Sequence, residues 1–339
     1  MRKKIAICFG TRPEIIKLSL LSQKMDSNFD IVNVFTGQHH SLFEDVKDLI
    51  PNIHHFVPIG EYEHLSLLYS DLIKHLYIAF NSIKPDIVIV QGDTASAYCA
   101  SFCAFTMGIQ VGHVEAGLRT YDMQSPFPEE FNRQAISKIA NYNWCPSELA
   151  AKNLTNEKVG GEIIITGNTI VDVVNNFLKD GNDVNGDSIV ITLHRRENKE
   201  KFEIILNQIV SLSRQYRDLN FIFPAHPNPI IQNQLLNLKG HIRVVKPLKY
   251  KDFISLLKSC VGIISDSGGI QEEAVCLNKK IIVCRDNTER PEALKVGISR
   301  VIGTDVENNF KWLIAPMEGS FDNPYGNGNA CEKIIESIK

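Results

Sequence analysis

The sequence lacks several features that would assign it to common classes of protein. No apolar run approaches the ~18 residues of a membrane-spanning helix, which predicts that the chain has no membrane partner. The opening MRKKIAICFG has too short an apolar segment for a signal peptide and predicts a buried first strand. Basic residues are not in excess, since 36 Lys and Arg face 39 Asp and Glu, and this argues against a nucleic-acid partner.

Cysteine pairs and two phosphate-binding motifs are also missing. The eight cysteines form no CxxC pair and lie mostly in apolar runs, which predicts free thiols in a reducing, cytoplasmic compartment. Neither the turn at Gly10 nor that at Gly268 reads GxGxxG, GxxxxGKS or GxxxxGKT, so we expect no nicotinamide cofactor. Adjacent His39 and His40 point to different faces, and no histidine spacing supports a metal site.

The sequence does contain apolar strands that alternate with amphipathic helices in two series, separated by the polar stretch LKDGNDVNGD. Continuous apolar strands between helices are typical of parallel sheets covered on both faces. We therefore predict an α/β protein of two doubly wound domains facing a cleft, with residues 1–167 in the first and 168–327 in the second. A C-terminal helix at about 328–339 is expected to pack back on the first domain.

Polar or glycine clusters follow seven of the predicted strands. Ligands of such folds bind outside the carboxyl ends of the strands, so these clusters predict one shared site. The clusters are Gly10 to Arg12, Gln91 to Thr94, His113 to Glu115, His194 to Glu197, His226, Asp266 to Gly269, and Arg285 with Asp286.

Two of these turns are candidates for a diphosphate site. The amides of Ser267, Gly268 and Gly269 precede a helix, where backbone N–H groups and the helix dipole favour an anion. Glu273, one turn further on, could accept two ribose hydroxyls or simply cap the helix. Arg12 is a cation at the positive end of a helix, which is reasonable if an anion lies between them.

Further candidates have an equally plausible structural interpretation. Asp93 and Glu115 follow buried strands, where partial desolvation would suit acid–base chemistry, whereas Glu129 could be an ordinary first-turn glutamate. Lys17 could reach the cleft or lie on the surface. His194 and His226 lie at the ends of predicted strands, and Arg290 lies at a predicted helix start. Structural roles are also reasonable for these three candidates.

The motifs GTRPEIIK, HVEAGLRT, SPFPEEFNR, HRREN, SDSGGIQEEA and RDNTERPEA occur in this order along the chain. This series resembles the non-hydrolysing UDP-N-acetylglucosamine 2-epimerases of bacteria and archaea over almost the whole chain. The resemblance implies a glycosyltransferase-B-type fold of two Rossmann-like domains with the active site between them. It also implies a homodimer, no cofactor, and interconversion of UDP-N-acetylglucosamine and UDP-N-acetylmannosamine.

The resemblance assigns roles to individual positions. The implied catalytic residues are Asp93, Glu115, Glu129 and His194. The implied UDP contacts are Arg12, Ser267 and Gly268 on the diphosphate, Glu273 on the ribose and Phe253 on the uracil. Further active-site positions of less definite role are Lys17, His226 and Arg290.

Some positions depart from the family pattern. Ser41 stands where the family commonly has a glutamine tied to allosteric binding of a second UDP-sugar, and Asn327 stands where it usually has an aspartate. The segment from Ile50 to His64 is short. Allosteric regulation by UDP-sugar is therefore an open question for this chain.

Carbon 2 of a 2-acetamido sugar has no adjacent carbonyl, so simple removal and return of its proton is unfavourable. Elimination of UDP to a 2-acetamidoglucal, followed by re-addition, fits a chain without a nicotinamide motif. Other interpretations are a 2-epimerase of another UDP-2-acetamido sugar, namely a diacetamido-uronic acid or a 6-deoxy sugar, a hydrolysing 2-epimerase, a glycosyltransferase of the same fold, and a UDP-sugar sensor.

Overall fold

The computed structural model divides the chain into two compact units, Met1–Val173 with Tyr325–Lys339, and Val174–Pro324. It describes residues 2–38, 46–50, 52–60, 62–179, 186–193, 199–225, 240–317, 319 and 321–339. Among these residues, every helix is too short or too polar to span a bilayer. All eight cysteines are free thiols, and all but Cys276 are buried.

The first unit is built on a parallel seven-stranded sheet of order β3-β2-β1-β4-β5-β6-β7. Its strands are β1 (Lys4–Phe9), β2 (Asp30–Phe35), β3 (His55–Phe56), β4 (Ile87–Gln91), β5 (Gln110–Val114), β6 (Tyr142–Cys145) and β7 (Glu162–Ile165). Its helices are α1 (Arg12–Met25), α2 (Leu65–Ile83), α3 (Ala95–Thr106), α4 (Glu129–Ile139), α5 (Glu148–Asn156) and α6 (Thr169–Leu178), with a 3₁₀ turn at Lys47–Leu49. The central strands are buried along their length because helices cover both faces.

Helix α6 crosses the division between the units. The C-terminal helix α12 (Ala330–Ser337) belongs to the first unit, and the buried carboxylate of Asp172 holds it there. Asp172 accepts from the backbone amides of Ala330 (3.1 Å) and Cys331 (3.0 Å), which are orphan donors at the start of that helix. At its other end, the Trp144 indole donates to Ser337 Oγ at 2.9 Å.

The second unit contains a parallel six-stranded sheet of order β10-β9-β8-β11-β12-β13. Its strands are β8 (Ser188–Thr192), β9 (Asn220–Pro224), β10 (Ile242–Val245), β11 (Gly262–Ser265), β12 (Ile281–Val283) and β13 (Ser299–Val301). Its remaining helices are α7 (Lys199–Gln215), α8 (Tyr250–Ser259), α9 (Gly268–Cys276), α10 (Pro291–Lys295) and α11 (Val306–Ile314). Both sheets therefore have the parallel α/β character that the apolar runs predict.

Candidate active site

The turn after β1 places Arg12 at the first position of α1, beside the turn after the neighbouring strand β4. The helix begins at Arg12, with Thr11 as its N-cap and Glu14 completing a capping box. Glu14 is buried, and burial raises its pKa to about 7 against the lowering effect of its hydrogen bonds. Arg12 itself is partly exposed at this edge of the sheet.

Glu115 follows β5 and is buried in a set of converging donors. Its Oε2 accepts from the ammonium of Lys17 and from Gln91 Nε2 at 3.0 Å, with Asn168 Nδ2 at 3.5 Å. Lys17 is therefore a buried partner of Glu115, and the interpretation of Lys17 as a surface lysine is wrong. Glu115 has φ of +67°, a left-handed conformation that a side chain adopts at a cost and that often marks functional residues.

Asp93 follows β4, and Arg133 from α4 holds its carboxylate. Arg133 Nε donates to Asp93 Oδ2 at 3.0 Å, Nη2 donates to the same oxygen, and Nη1 donates to Glu130 Oε2 at 3.1 Å. Glu130 is fully buried and also accepts from the backbone amides of Thr120 and Tyr121. Glu130 thus stabilises the segment at Thr120 and Tyr121 that leads into α4.

Glu129 is the first residue of α4 and is only partly buried. Its position agrees both with a first-turn glutamate and with a catalytic acid near Asp93, to which α4 is tied through Arg133. Sequence reasoning missed Gln91, Asn168 and Arg133 as partners of the acids. Gln91 ends β4, Asn168 directly precedes α6 and Arg133 lies in the motif SPFPEEFNR, but only tertiary contacts show which acid each one holds.

His113, one residue before the end of β5, is fully buried, and its Nε2 lies 2.8 Å from the carbonyl of Gly92. Burial lowers the pKa of His113 to about 4, which favours the neutral ring. His194 and His226, the two histidines predicted for the site, lie outside the described residues. So do His39, His40 and Ser41.

In the second unit, the turn after β11 leads into α9, with Ser267 as N-cap. The Ser267 amide donates to Ser265 Oγ at 3.0 Å, and Ser265 Oγ accepts from Thr192 Oγ1 at 2.7 Å. That amide is therefore engaged within the chain, and the amides of Gly268 and Gly269 are the first two of the helix. Within the described residues no group of three His, Cys, Asp or Glu side chains is placed to hold a metal.

Helices α8 and α9 bring the predicted nucleoside contacts into one unit. Glu273 is buried in α9, and its Oε1 accepts from Tyr250 Oη at 2.9 Å. Phe253 lies one turn after Tyr250 in α8 and is mostly buried, and Phe177 packs edge-on against Tyr250 with ring centroids 5.6 Å apart. The hydrogen bond from Tyr250 therefore fixes the orientation of the Glu273 carboxylate.

Arg290 lies against the N-terminal end of α9. A Cβ on Gly268 would meet Arg290 Nη1 at 2.6 Å, so a larger residue at this position would have to displace the Arg290 side chain. Arg290 donates to Glu272 Oε1 at 2.7 Å and also to Glu289, which in turn accepts from Arg285 Nη1 at 3.0 Å. Two arginines and two buried glutamates therefore form a charge-balanced cluster behind the predicted diphosphate turn.

Comparison with known proteins identifies the family to which this chain belongs. A family model described as UDP-N-acetylglucosamine 2-epimerase matches residues 22–339. The UDP-N-acetylglucosamine 2-epimerase of Bacillus subtilis is 36% identical, covering 99% of this chain and 94% of that protein. The enzyme of that name from Neisseria meningitidis is 35% identical, with 99% of each chain covered.

Solved structures agree with these relatives. The S. aureus co-structure with UDP has a TM-score of 0.91 and 35% identity, covering 100% of this chain and 96% of that one. The Methanocaldococcus jannaschii UDP-GlcNAc 2-epimerase, solved with UDP-GlcNAc and UDP, has a TM-score of 0.88 and 33% identity, covering 100% and 99%. A glycosyltransferase at 12% identity and a TM-score of 0.52 shares the fold alone. The predicted glycosyltransferase-B-type class of two Rossmann-like domains is confirmed, and this chain belongs to the UDP-N-acetylglucosamine 2-epimerase family.

Proposed function

We propose that this protein interconverts UDP-N-acetylglucosamine and UDP-N-acetylmannosamine. The observation that carries the proposal is the pair of acids at neighbouring strand ends, each held by a basic side chain: Glu115 by Lys17 and Asp93 by Arg133. The relatives that share nearly the full length are named for this epimerisation, and structures of such relatives contain UDP-GlcNAc.

Elimination and re-addition gives these residues their chemical tasks. A base takes the C2 proton, the bond from C1 to the β-phosphate oxygen breaks, and UDP leaves with the electron pair, giving a 2-acetamidoglucal. Protonation of C2 from the opposite face and return of the UDP oxygen to C1 complete the inversion. Asp93, Glu115 and Glu129 supply the acid and base groups, a contribution of about 10²–10⁴-fold.

Stabilisation of the departing diphosphate falls to positive groups at two helix N-termini. We assign it to Arg12 at the start of α1 and to the amides of Gly268 and Gly269 at the start of α9. Glu273 binds the ribose and Phe253 contacts the uracil in this proposal. His194 and His226 stay predicted members of the site.

Incubation with UDP-N-acetylglucosamine in D₂O, followed by NMR, tests the function. We expect UDP-N-acetylmannosamine to appear and deuterium to enter C2 of both sugars. Free N-acetylmannosamine as the main product would instead indicate a hydrolysing enzyme. Turnover of a diacetamido-uronic or 6-deoxy sugar nucleotide, but not of this one, would move the assignment to another UDP-2-acetamido sugar. Binding without conversion would favour either a UDP-sugar sensor or a glycosyltransferase that needs an acceptor.

We further propose that the protein acts in the cytoplasm as a homodimer, with the first unit supplying the contact. Helix α3 contacts both α2 and α4, and the three helices share an exposed aromatic and aliphatic surface. Its members are Tyr77, Ile78, Phe102, Phe105 and Phe131. Tyr98 joins this surface, with its ring centroid 5.6 Å from that of Phe131. Apolar patches of this kind are typical of protein interfaces.

Phe105→Glu is expected to convert the dimer to a monomer, because a charge would be buried in an apolar contact. Light scattering after size-exclusion chromatography should show the mass fall to that of the 38.1 kDa chain. Ile204→Glu is the matched control, since Ile204 is an exposed apolar residue of α7 in the other unit. A wild type that already runs as a monomer, or equal dissociation by both variants, would contradict this surface.

A further inference from the structure

Glu14 has more contacts than the start of a helix requires. Its Oε2 accepts from the backbone amides of Gly10 at 3.1 Å and Thr11 at 2.8 Å, and from Thr11 Oγ1 at 2.7 Å. These contacts fix the turn that carries Arg12, and they belong to an ordinary capping box. Only 1% of Glu14 is exposed, so water does not compete for them.

The other oxygen of Glu14 reaches a different turn. Glu14 Oε1 accepts from Thr94 Oγ1 at 2.8 Å, although the two residues are 80 positions apart. Thr94 directly follows Asp93, and it is also the N-cap of α3, where its Oγ1 accepts from the amide of Ala97 at 3.0 Å. One carboxylate thus connects the turn of Arg12 to the turn of Asp93. Hydrogen bonds to an ionised carboxylate are about twice as strong as those between neutral groups.

The two turns are also in tight contact around this connection. A Cβ on Gly10 would meet Ser96 Oγ and Thr36 Oγ1 at 2.1 Å each, so the turn after β1 has no room to shift toward α3. Ser96 Oγ is hydrogen-bonded to Thr36 Oγ1 at 2.6 Å, and the Ser96 amide donates to Gln38 Oε1 at 3.0 Å. The first turn of α3, and Asp93 before it, is therefore placed by contacts with the first two strand ends.

We propose that Glu14 is a positioning residue that sets Asp93 relative to Arg12 through the Thr94 hydroxyl. The proposal rests on the proposed function, in which Asp93 moves a proton while Arg12 stabilises the departing diphosphate. The two events must be aligned on one substrate, and a displacement of about 1 Å in such an arrangement can cost about 10²-fold in rate.

Three substitutions of Thr94 separate the connection to Glu14 from the cap of α3. Thr94→Gly has no hydroxyl to donate to Glu14 but keeps a residue that is favourable at an N-cap. Thr94→Ala removes the hydroxyl and also leaves a poor N-cap, and Thr94→Ser keeps both features. At pH 8, where the Glu14 carboxyl of the wild type with a pKa of about 7 is ionised, Thr94→Gly is expected to lower kcat for UDP-N-acetylglucosamine at least tenfold. Thr94→Ser should restore most of the wild-type kcat.

The dissociation constant of UDP, measured by calorimetry, and the Tm are recorded for each variant. A positioning role predicts that Thr94→Gly loses kcat while UDP affinity stays within about threefold, because Glu14 still holds the turn of Arg12 and the second unit retains its nucleotide contacts. Full kcat in Thr94→Gly with an active wild type would overturn the inference alone, as would a kcat that follows the Tm across all three variants. A wild type without epimerisation would overturn the proposed function and this inference with it.

Discussion

Glutamine in place of Glu115 is expected to lower kcat for UDP-N-acetylglucosamine by about 10³-fold, within the range that general acid–base groups contribute. The amide is close to the carboxylate in shape and can still accept from Lys17 and Gln91, so the backbone around it should persist. The Tm should fall, because Lys17 loses its buried charge partner. It cannot take or return a proton at C2. The rate of deuterium incorporation at C2 should therefore fall together with the rate of epimerisation.

Glu332→Gln is the control for this substitution, because Glu332 also pairs with a lysine of α1 but lies on the docked C-terminal helix. It should keep kcat within about twofold of the wild type. UDP affinity should be unchanged in both variants, since neither Glu115 nor Glu332 is among the proposed nucleotide contacts. An E115Q protein that still exchanges the C2 proton at the wild-type rate would remove Glu115 from the acid–base role and leave Asp93 and Glu129 as the candidates.

The strand-end pattern predicted where the acids would lie, but not what holds them. Asp93 and Glu115 follow apolar runs, so the rule for parallel sheets places them at one edge. Their partners Lys17 and Arg133 come from helices whose facing depends on packing, and a lysine in a mixed helix looks like a surface residue until its burial is known. Periodicity reports which positions are apolar, whereas charge pairing inside a core depends on contacts between distant segments.

Elements with weak local signals are hard to predict from sequence for a similar reason. Strand β6 has four residues, YNWC, with polar ones among them, and its identity depends on pairing with β5 and β7. Helix α2 begins after His64, which makes no side-chain cap bond, so no N-terminal signal precedes it. By contrast, the turn at Ser267 could be predicted because an apolar strand, two glycines and a helix follow directly on one another.

The cluster around Arg290 changes the interpretation of the second unit's glycines. Sequence reasoning explains Gly268 by the approach of a phosphate to a helix N-terminus. The structure adds that Arg290 occupies the space of a Cβ at that position, and that its charge is balanced by Glu272 and Glu289. A Cβ added at Gly269 would meet no atom within 4 Å, so of the two glycines Gly269 has the space for a ligand to approach.

Two buried groups of the first unit should make its stability depend on pH in opposite directions. Burial raises the pKa of Glu14 from 4.5 to about 7 and lowers that of His113 from 6.5 to about 4. Between pH 4.5 and 7 the unfolded chain has released the Glu14 proton that the folded unit retains, so Glu14 lowers the free energy of unfolding as pH rises. Between pH 4 and 6.5 only the unfolded chain protonates His113, so this residue raises the free energy of unfolding as pH rises.

Each substitution, compared with the wild type, should therefore reveal the slope of the group that it removes. Relative to the wild type, Glu14→Gln is expected to gain on the order of 2 kcal/mol as pH rises from 4.5 to 7, and His113→Gln to lose a similar amount between pH 4 and 6.5. Urea titrations in a Trp312→Phe background measure this, because the only other tryptophan, the buried Trp144, then reports on the first unit alone.

Groups common to all three proteins cancel in these differences, so the two slopes must have opposite signs. A flat difference for Glu14→Gln would mean that the hydrogen bonds from Gly10, Thr11 and Thr94 offset the whole cost of burial, and that Glu14 is ionised well below pH 7. The Glu14 carboxylate that accepts from Thr94 would then be negatively charged throughout the pH range of the titrations. Opposite slopes would instead mean that the same connection weakens below pH 7, where the protonated carboxyl is a poorer acceptor.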